Sequence, residues 1–255
     1  MNRREFTTVA AAGAVATLVA VPPARSAGLA VKNVVMVHGL YADGSCWSDV
    51  IVRLQAAGLN VMSVQNPLTA FEEDVAAVTR ALDMQGGPTV LVAHSYGGMV
   101  ATQAGVHPNV AGLVYIAARA PDAGEDYTAL AARFPTPPAS KGLVKFGNYL
   151  MLGEAAFLND FANGVDPVKA LELYAVQQPN LATLSPNART TAAAWRTKPS
   201  WYAVSKQDRT INPDLERFMA ARMKAKTIEI EAGHLSLVSH VAEVSDLIMK
   251  STIVS

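Results

Sequence analysis

The sequence predicts an α/β chain with a doubly wound, mainly parallel sheet and a helical cap inserted between two of the sheet strands. Two patterns carry this prediction. Runs of β-branched residues alternate with segments of helical periodicity, and strand–helix alternation places helices on both faces of a parallel sheet. The alternation stops at about residue 119 and resumes at about residue 198. A chain of 255 residues that is 51% hydrophobic can bury one large core, with the interruption as an insertion.

Four predicted strands precede the interruption, and each of the first three is followed by a predicted helix. Each strand is a short apolar run, which is typical of a strand buried on both faces. Glycine or proline follows each helix, as expected where a helix ends. The predicted strands are 31–37, 59–64, 89–93 and 110–117, and the predicted helices are 48–57, 71–84 and 97–107.

Residues 119–198 are rich in Ala and Pro and contain no strong strand candidate. The segment 134–138 predicts a rigid extended link because it holds three prolines, and short helices are expected at 154–161 and 167–177. The sheet should resume with strands 200–205 and 226–230, together with helices 213–223 and 241–251. This order predicts a helical cap at about 119–198.

Composition excludes several classes of function. Lys+Arg and Asp+Glu are both 21, so the chain lacks the basic balance of a nucleic-acid or anionic-membrane binder. One cysteine, Cys46, cannot form an internal disulfide or a cysteine-rich metal site. The isolated histidines His107 and His240 do not suggest metal ligands, and no apolar stretch reaches the roughly 20 residues that span a bilayer. We expect neither a metal nor stable membrane insertion, and the sequence leaves the oligomeric state open.

The N-terminus predicts an export signal over residues 1–27, which leaves residues 28–255 as a single domain. Arg3 and Arg4 precede a weakly apolar Ala/Val run, and small residues follow it. The two arginines with Phe6 resemble a twin-arginine signal, although Thr7 and Thr8 replace the usual Leu-Lys. The expected location is therefore the periplasm or the exterior.

Ser95 is the candidate nucleophile. It stands between a predicted strand and a predicted helix, in Ala93-His94-Ser95-Tyr96-Gly97-Gly98. A serine at such a sharp turn is pushed out of the carboxyl edge of the sheet, and a small residue two places on lets strand and helix pass closely. Ala93 replaces the usual first glycine of this pattern. The competing interpretation is a helix N-cap, a common role of serine.

His234 and Asp208 are the candidate base and its orienting acid. A serine nucleophile needs a base to take its proton, and the base needs an acid that fixes its tautomer. His234 follows the last predicted strand, and Asp208 follows the preceding one. Asp122, after the fourth strand, is the rival acid. The order Ser95, Asp208, His234 fits the order of nucleophile, acid and base expected for this turn pattern.

These motifs resemble the α/β-hydrolase superfamily over residues 31–251. Three segments resemble its small esterase branch, which includes plant methyl-ester esterases and hydroxynitrile lyases: Val37-His38-Gly39-Leu40 with Trp47, residues 93–98 around Ser95, and Gly233-His234-Leu235-Ser236. The resemblance implies that the backbone N–H groups of Leu40 and Tyr96 stabilise an oxyanion. The hydroxynitrile lyases of this branch have a lysine after the base histidine and a threonine after the first histidine. Leu235 and Gly39 stand at those positions here.

The predicted function is hydrolysis of carboxylic esters of small to medium apolar molecules through an acyl-serine intermediate, without a cofactor. The expected partner is thus a small-molecule ester. Hydrolysis of a lactone, thioester, amide or C–C bond by the same triad remains open, as does a non-catalytic ligand-binding protein on the same scaffold. Aromatic residues of the cap are candidate pocket residues: Phe134, Phe146, Tyr149, Phe157, Phe161 and Tyr174.

Overall fold

A six-stranded parallel sheet organises the protein. The computed structural model describes residues 31–253, so the predicted signal at 1–27 lies outside the described residues. The first four strands are β1 (Asn33–Val37), β2 (Asn60–Val64), β3 (Thr89–His94) and β4 (Val110–Ile116). Three cap strands follow, namely β5 (Leu143–Phe146), β6 (Tyr149–Leu152) and β7 (Asn180–Leu181), and the sheet is completed by β8 (Ser200–Ser205) and β9 (Lys226–Ile230). The strand order is β2-β1-β3-β4-β8-β9, and every neighbouring pair is parallel.

Helices cover both faces of this sheet, which confirms the predicted fold class. The longer helices are α1 (Ser48–Ala56), α2 (Phe71–Asp83), α3 (Gly97–Ala104), α6 (Pro167–Ala175), α8 (Pro213–Arg222) and α10 (Val241–Ser251). The shorter ones are α4 (Tyr127–Ala131), α5 (Glu154–Ala156), α7 (Leu184–Asn187) and α9 (Ser236–Ser239). Short 3-10 helices span Gly44–Trp47, Pro138–Gly142 and Ala194–Arg196, and a π-helical turn spans Phe157–Phe161.

Two apolar layers hold the sheet between the helices. One layer packs α2, α3 and α8 against one face, and the other packs α1 and α10 against the opposite face. All six residues of β3, at the centre of the sheet, are buried. Burial on both faces explains why this strand reads as a continuous apolar run rather than an alternating one.

The cap contains strands as well as helices, so its prediction as purely helical was incomplete. Strands β5, β6 and β7 form a separate antiparallel sheet. β5 and β6 are joined by a two-residue turn in which Gly147 adopts φ 57°, the left-handed conformation that glycine accepts without strain. All four residues of β5 are exposed, so no alternating burial marks it in the sequence.

The two ends of the described chain meet. Val31 N–H donates to Thr252 C=O at 3.1 Å, so the residue that leads into β1 is tied to the end of α10. This contact lies at the amino edge of the parallel sheet, because Val31 precedes β1. Among the described residues, no helix is long and apolar enough to cross a membrane.

Candidate active site

Ser95 occupies a strained turn between β3 and α3. Its φ is 54°, a left-handed conformation that costs a non-glycine residue about 1–3 kcal/mol. Neighbouring backbone holds the turn: Arg119 N–H donates to Ser95 C=O at 2.9 Å, and Gly98 N–H donates to the same oxygen at 3.0 Å. Ser95 is only 3% exposed. Strain at one buried serine, held by surrounding structure, is typical of functional sites.

Two glycines let the chain pass close to this serine. A Cβ on Gly97 would lie 2.6 Å from the backbone oxygen of His38, and one on Gly39 would lie 2.6 Å from the Cβ of Ser95. Both distances are too short for real carbon atoms. Only glycine therefore fits at these two positions without displacing the Ser95 turn or the loop after β1.

His38 anchors the loop after β1. Its Nδ1 contacts Gly39 C=O at 2.9 Å, and its Nε2 accepts from Asn66 N–H at 3.0 Å. This pairing requires the neutral tautomer with the proton on Nδ1. Burial lowers the pKa of His38, which favours the same neutral form. His38 thus holds Gly39 and Leu40 in place beside Ser95.

Asp208 and His234 lie together at the carboxyl edge of the sheet. The Nδ1 of His234 is 2.5 Å from Oδ2 of Asp208, and both side chains are fully buried. The other oxygen, Oδ1, accepts backbone N–H groups of Thr210 at 2.6 Å and Ile211 at 2.9 Å. A carboxylate fixed in this way holds the imidazole with its proton on Nδ1 and leaves Nε2 free to accept a proton.

The serine and the imidazole are not hydrogen-bonded in this structure. The Nε2 atom of His234 is buried and has no hydrogen-bond partner among the described residues. The backbone N–H groups of Leu40 and Tyr96 likewise donate to no other group of residues 31–253. The structure brings the five predicted site residues to one edge of the sheet, and their catalytic roles stay predictions.

His94, the residue before Ser95, contacts the candidate base His234. Its Nε2 lies 3.1 Å from the backbone oxygen of His234, and the two rings are 4.5 Å apart. Burial, followed by the nearby His234, lowers the pKa of His94 well below its usual range. A neutral His94 can donate from Nε2 and fix the backbone of the base.

Asn163, in the cap, lies against Gly233 in the loop that carries His234. A Cβ on Gly233 would lie 2.2 Å from both the backbone and the side-chain oxygen of Asn163. The amide of Asn163 also donates to Gln207 C=O at 2.9 Å, next to Asp208. The cap therefore contacts both loops that carry the predicted acid and base. No pattern in the sequence marks this contact.

The rival acid Asp122 and the histidines His107 and His240 pair with residues other than Ser95, Asp208 and His234. Asp122 pairs with the exposed Arg196. His107 contacts Asp83 at 3.1 Å, and His240 contacts Ser239 at 2.9 Å. Asp208 is thus the candidate acid that the structure joins to His234.

Glu216 is a buried carboxyl that the sequence reasoning missed. It lies on α8, and its Oε2 accepts Ser205 N–H at 3.0 Å. Burial and then the negative charge of the nearby Asp208 raise the pKa of Glu216 well above its usual range. The raised pKa favours the neutral, protonated form of this carboxyl near Asp208. In sequence it looks like an ordinary charged residue of a surface helix.

Asp74 is a second missed carboxyl, on the other side of the Ser95 turn. It accepts Tyr96 O–H at 2.7 Å and Leu68 N–H at 2.9 Å. Burial raises its pKa to about 6, although both hydrogen bonds oppose that shift. Asp74 fixes the ring of Tyr96, whose backbone N–H is one of the two predicted oxyanion donors.

A cavity of about 360 Å³ adjoins this edge of the sheet, within the range of small-molecule sites. It reaches Leu40, and it reaches Thr210 and Arg119, whose backbone N–H groups donate to Asp208 and Ser95. Ser95 and His234 are not among its lining residues, and both are buried. The remaining lining comes from the cap and from Tyr41: Thr128, Ala139, Ser140, Leu143, Leu150, Leu152, Asn180, Ala182, Ser185 and Pro186.

The six aromatic pocket candidates do not line this cavity. Phe157 and Phe161 are buried, and Phe161 packs against the ring of His234 at 5.2 Å. Phe146 and Tyr149 instead border an open apolar groove of about 570 Å³ on the exposed hairpin. The cap side of the cavity consists of aliphatic and polar residues, which the aromatic content of the cap did not predict.

Comparison with known proteins identifies the family. The model of the alpha/beta hydrolase family matches residues 34–247, which include Leu40, Ser95, Tyr96, Asp208 and His234. The chain belongs to the alpha/beta hydrolase family. A carbendazim hydrolyzing esterase of Nocardioides sp. (strain SG-4G) is 30% identical over 158 residues, which cover 56% of this chain and 62% of that protein. The match thus spans less than two thirds of that relative.

Solved structures share the alpha/beta hydrolase fold at lower identity. Polyneuridine aldehyde esterase has a TM-score of 0.74 at 16% identity, covering 86% of this chain and 98% of the other. A pyrethroid hydrolase from Sphingobium faniae JZ-2 has a TM-score of 0.71 at 19% identity, covering 87% and 97%. At these identities the likeness shows the fold alone. Within the described residues, this alpha/beta hydrolase has no cluster of three or more His, Cys, Asp or Glu able to hold a metal.

Proposed function

We propose that the protein hydrolyses carboxylic esters of small to medium size with Ser95 as nucleophile, His234 as base and Asp208 as orienting acid. The observation that carries the proposal is the buried pair of His234 and Asp208 at 2.5 Å, beside a serine in a strained turn. Family membership and the esterase names of its relatives support the same reaction class.

The first half-reaction forms an acyl-serine. Ser95 Oγ attacks the ester carbonyl carbon while His234 Nε2 takes the hydroxyl proton. The apo geometry leaves this hydrogen bond unformed, and such contacts commonly tighten when substrate binds. Asp208 stabilises the imidazolium through Nδ1. The N–H groups of Leu40 and Tyr96 donate to the oxyanion, since each lacks another partner within residues 31–253.

Release of the alcohol completes the first half-reaction, because His234 gives its proton to the departing alkoxide and the acyl group stays on Ser95 Oγ. In the second half-reaction, water attacks the acyl carbon while His234 Nε2 takes a proton from it. Collapse of the resulting oxyanion expels Ser95 Oγ, which receives that proton from His234, and the carboxylic acid leaves. Every step is a proton or acyl transfer, so no cofactor is needed.

Turnover of p-nitrophenyl acetate and butyrate tests this proposal. We expect saturable release of p-nitrophenol and its loss by about 10⁴-fold or more in Ser95→Ala, because nucleophile and base act as a unit. The matched control is Ser48→Ala, an exposed serine on α1, which should keep normal turnover. Equal activity of Ser95→Ala and the unaltered protein would exclude Ser95 as nucleophile.

The type of bond that is cleaved is tested by comparing substrates on the unaltered protein and on Ser95→Ala. Lactones, thioesters and amides of matched acyl chains should be cleaved more slowly than the ester. Tight binding of an ester that is never turned over would favour the alternative of a ligand-binding protein on this scaffold.

We also propose that residues 1–27 direct export and are removed. Arg3, Arg4 and Phe6 support a twin-arginine route. The first described contact of the folded part is Val31 N–H to Thr252 C=O, so deletion of residues 1–27 should give soluble, active enzyme in a reducing cytoplasm. Changing Arg3 and Arg4 to lysine should leave full-length precursor in the cytoplasm by mass spectrometry, and normal export of that variant would argue against the route.

A further inference from the structure

The positively charged side chain of Arg119 lines the cavity beside the Ser95 turn, and no carboxylate of the described residues pairs with it. Six arginines within residues 31–253 pair with Asp or Glu. Arg119 pairs with neither. The two further arginines without such a pair, Arg80 and Arg133, are exposed to water. Arg119 is half-buried, and its Nε atom is buried without a hydrogen-bond partner.

Neutral groups hold the guanidinium of Arg119 in the cavity. Its Nη1 donates to Ser185 Oγ at 2.7 Å, and its Cζ lies 4.8 Å from the ring centre of Tyr127. Arg119 and Ser185 both line the cavity. A guanidinium has five N–H donors, so these contacts leave donors that an anion in the cavity can use. Charges taken out of water are normally paired, which makes an unpaired guanidinium in a cavity a candidate anion site.

This cation is close to the predicted reaction centre. The guanidinium Cζ of Arg119 is 6.0 Å from the ring centre of Tyr96, and the backbone N–H of Arg119 donates to Ser95 C=O. The same cavity reaches Leu40, whose N–H is a predicted oxyanion donor. An anion bound by Arg119 would therefore be separated from the ester carbonyl by a short spacer. Leu143, Leu150 and Leu152 line the cavity and can contact the methylene groups of such a spacer.

Resting on the proposed ester hydrolysis, we propose that Arg119 binds a carboxylate on the substrate, so that the preferred substrates are half-esters of short dicarboxylic acids. A carboxylate fits the planar fork of a guanidinium with two parallel hydrogen bonds. The volume of about 360 Å³ suits a molecule of this size. Arg119 is thus a specificity-determining residue rather than a part of the acyl-transfer machinery.

The test compares each half-ester with its neutral counterpart. The substrates are the monomethyl esters of succinic, glutaric and adipic acid, with their dimethyl esters as neutral partners in initial-rate assays. We expect Arg119→Gln to lower kcat/KM for the preferred half-ester about 10- to 100-fold, through KM, because a hydrogen bond to a charged group is lost. The dimethyl esters should change by less than about threefold, and Arg119→Lys should retain part of the preference.

The matched control is Arg133→Gln. Arg133 also lies over an aromatic ring, with Cζ 5.4 Å from the centre of Phe218, but it is exposed and outside the cavity. Its substitution should leave both substrate classes unchanged. Circular dichroism and the thermal midpoint of each variant distinguish misfolding from a selective loss. If Arg119→Gln does not fold, the comparison of Arg119→Lys with the unaltered protein decides, and an unchanged half-ester preference there overturns the proposal.

Other outcomes separate this inference from the proposed function. Equal loss on half-esters and dimethyl esters would assign Arg119 a structural role and overturn the inference, while ester hydrolysis would stand. Hydrolysis of dimethyl esters with rejection of all half-esters would overturn it as well. If no ester is cleaved, the proposed function fails, and calorimetric titration of the full-length Ser95→Ala protein with monomethyl glutarate decides the inference. Binding that Arg119→Gln abolishes would support it, and no binding would overturn it.

Discussion

The carboxyl edge of the sheet and the cap above it are built in opposite ways. At the sheet edge, Asp208 accepts three hydrogen bonds, and glycines allow contacts that no Cβ would fit. The cap, between β4 and β8, has two- to four-residue strands, a π-helical turn and an exposed hairpin with Phe146 61% exposed. The groups proposed for chemistry therefore lie at the ends of buried sheet strands, while the wall that would select the substrate lies on short cap segments.

The largest effect should follow from removing the base at the sheet edge. His234→Ala should lower kcat for p-nitrophenyl butyrate by about 10⁴- to 10⁶-fold, because Ser95 then has no proton acceptor. His234→Asn, which can still donate to Asp208, should lose as much activity with less loss of stability. His107→Ala, at an exposed contact with Asp83, is the control and should keep normal kcat. A His234 variant with near-normal turnover would contradict the mechanism.

The next effect concerns the acid. Asp208→Asn should lower kcat by about 10³- to 10⁴-fold, since an amide favours the wrong imidazole tautomer. Asp122→Asn removes only an exposed ion pair with Arg196 and should change kcat by less than about twofold. Steady-state kinetics of both variants decide between them. A large loss confined to Asp122→Asn would mean that the acid comes from the other strand end.

A smaller effect is expected when a glycine that is closely surrounded by other atoms is replaced by alanine, compared with a glycine that is not. Gly97→Ala places a Cβ 2.6 Å from the backbone oxygen of His38, so we expect a loss of about 2–4 kcal/mol in the free energy of unfolding. We also expect a clear drop in kcat, since the Ser95 turn must shift. Gly86→Ala, with no atom within 4 Å of the added Cβ, is the control. Urea unfolding measures both, and equal values would show that the sheet edge is more adaptable than its contacts indicate.

The smallest expected effect is a pH-dependent difference in the free energy of unfolding between Asp74→Asn and the unaltered protein. The pKa of Asp74 is raised by burial to about 6, so the stability that this carboxyl contributes is full below its ordinary value of 3.8 and is lost as pH rises through about 6. Asp74→Asn cannot ionise. Relative to the unaltered protein, its free energy of unfolding should therefore rise by about 2 kcal/mol between about pH 4 and about pH 7.5.

Urea unfolding at both pH values measures that change. Glu243→Gln, an exposed carboxyl on α10 that is remote from Asp74, is the control and should show no such trend. A stability difference for Asp74→Asn that stays constant with pH would contradict the raised pKa.

The sequence predicted the sheet well because burial on both faces leaves an unbroken apolar signal. Strands β8 and β9 were predicted with the bounds that the structure has. α3 is shorter than predicted and ends at Ala104, where Gly105 follows it. The cap sheet was missed because its strands are short and exposed, and β7 lies about 30 residues from β6, so the pairing depends on contacts that no local pattern encodes.

The candidate site likewise contains residues whose positions the sequence predicted and residues that it did not. Ser95, Asp208 and His234 could be predicted because each follows a strand, and the strand ends of a parallel sheet meet at one edge. Glu216 and Arg119 could not, because their significance comes from their surroundings. A glutamate on a helix and an arginine after a strand are ordinary in sequence, and only the folded chain shows that one is buried beside Asp208 and the other lacks a carboxylate partner among the described residues.

The hydrogen bond between Val31 and Thr252 has a practical consequence. Because it joins the ends of the described chain at the amino edge of the sheet, a short peptide linker there would connect them without crossing the carboxyl edge, where Ser95 and His234 lie. New termini could then be opened at Gly86 or Gly87, in the turn before β3, where added atoms meet nothing within 4 Å. The fold thus lends itself to circular permutation, and to surface immobilisation through either end with the cavity facing solution.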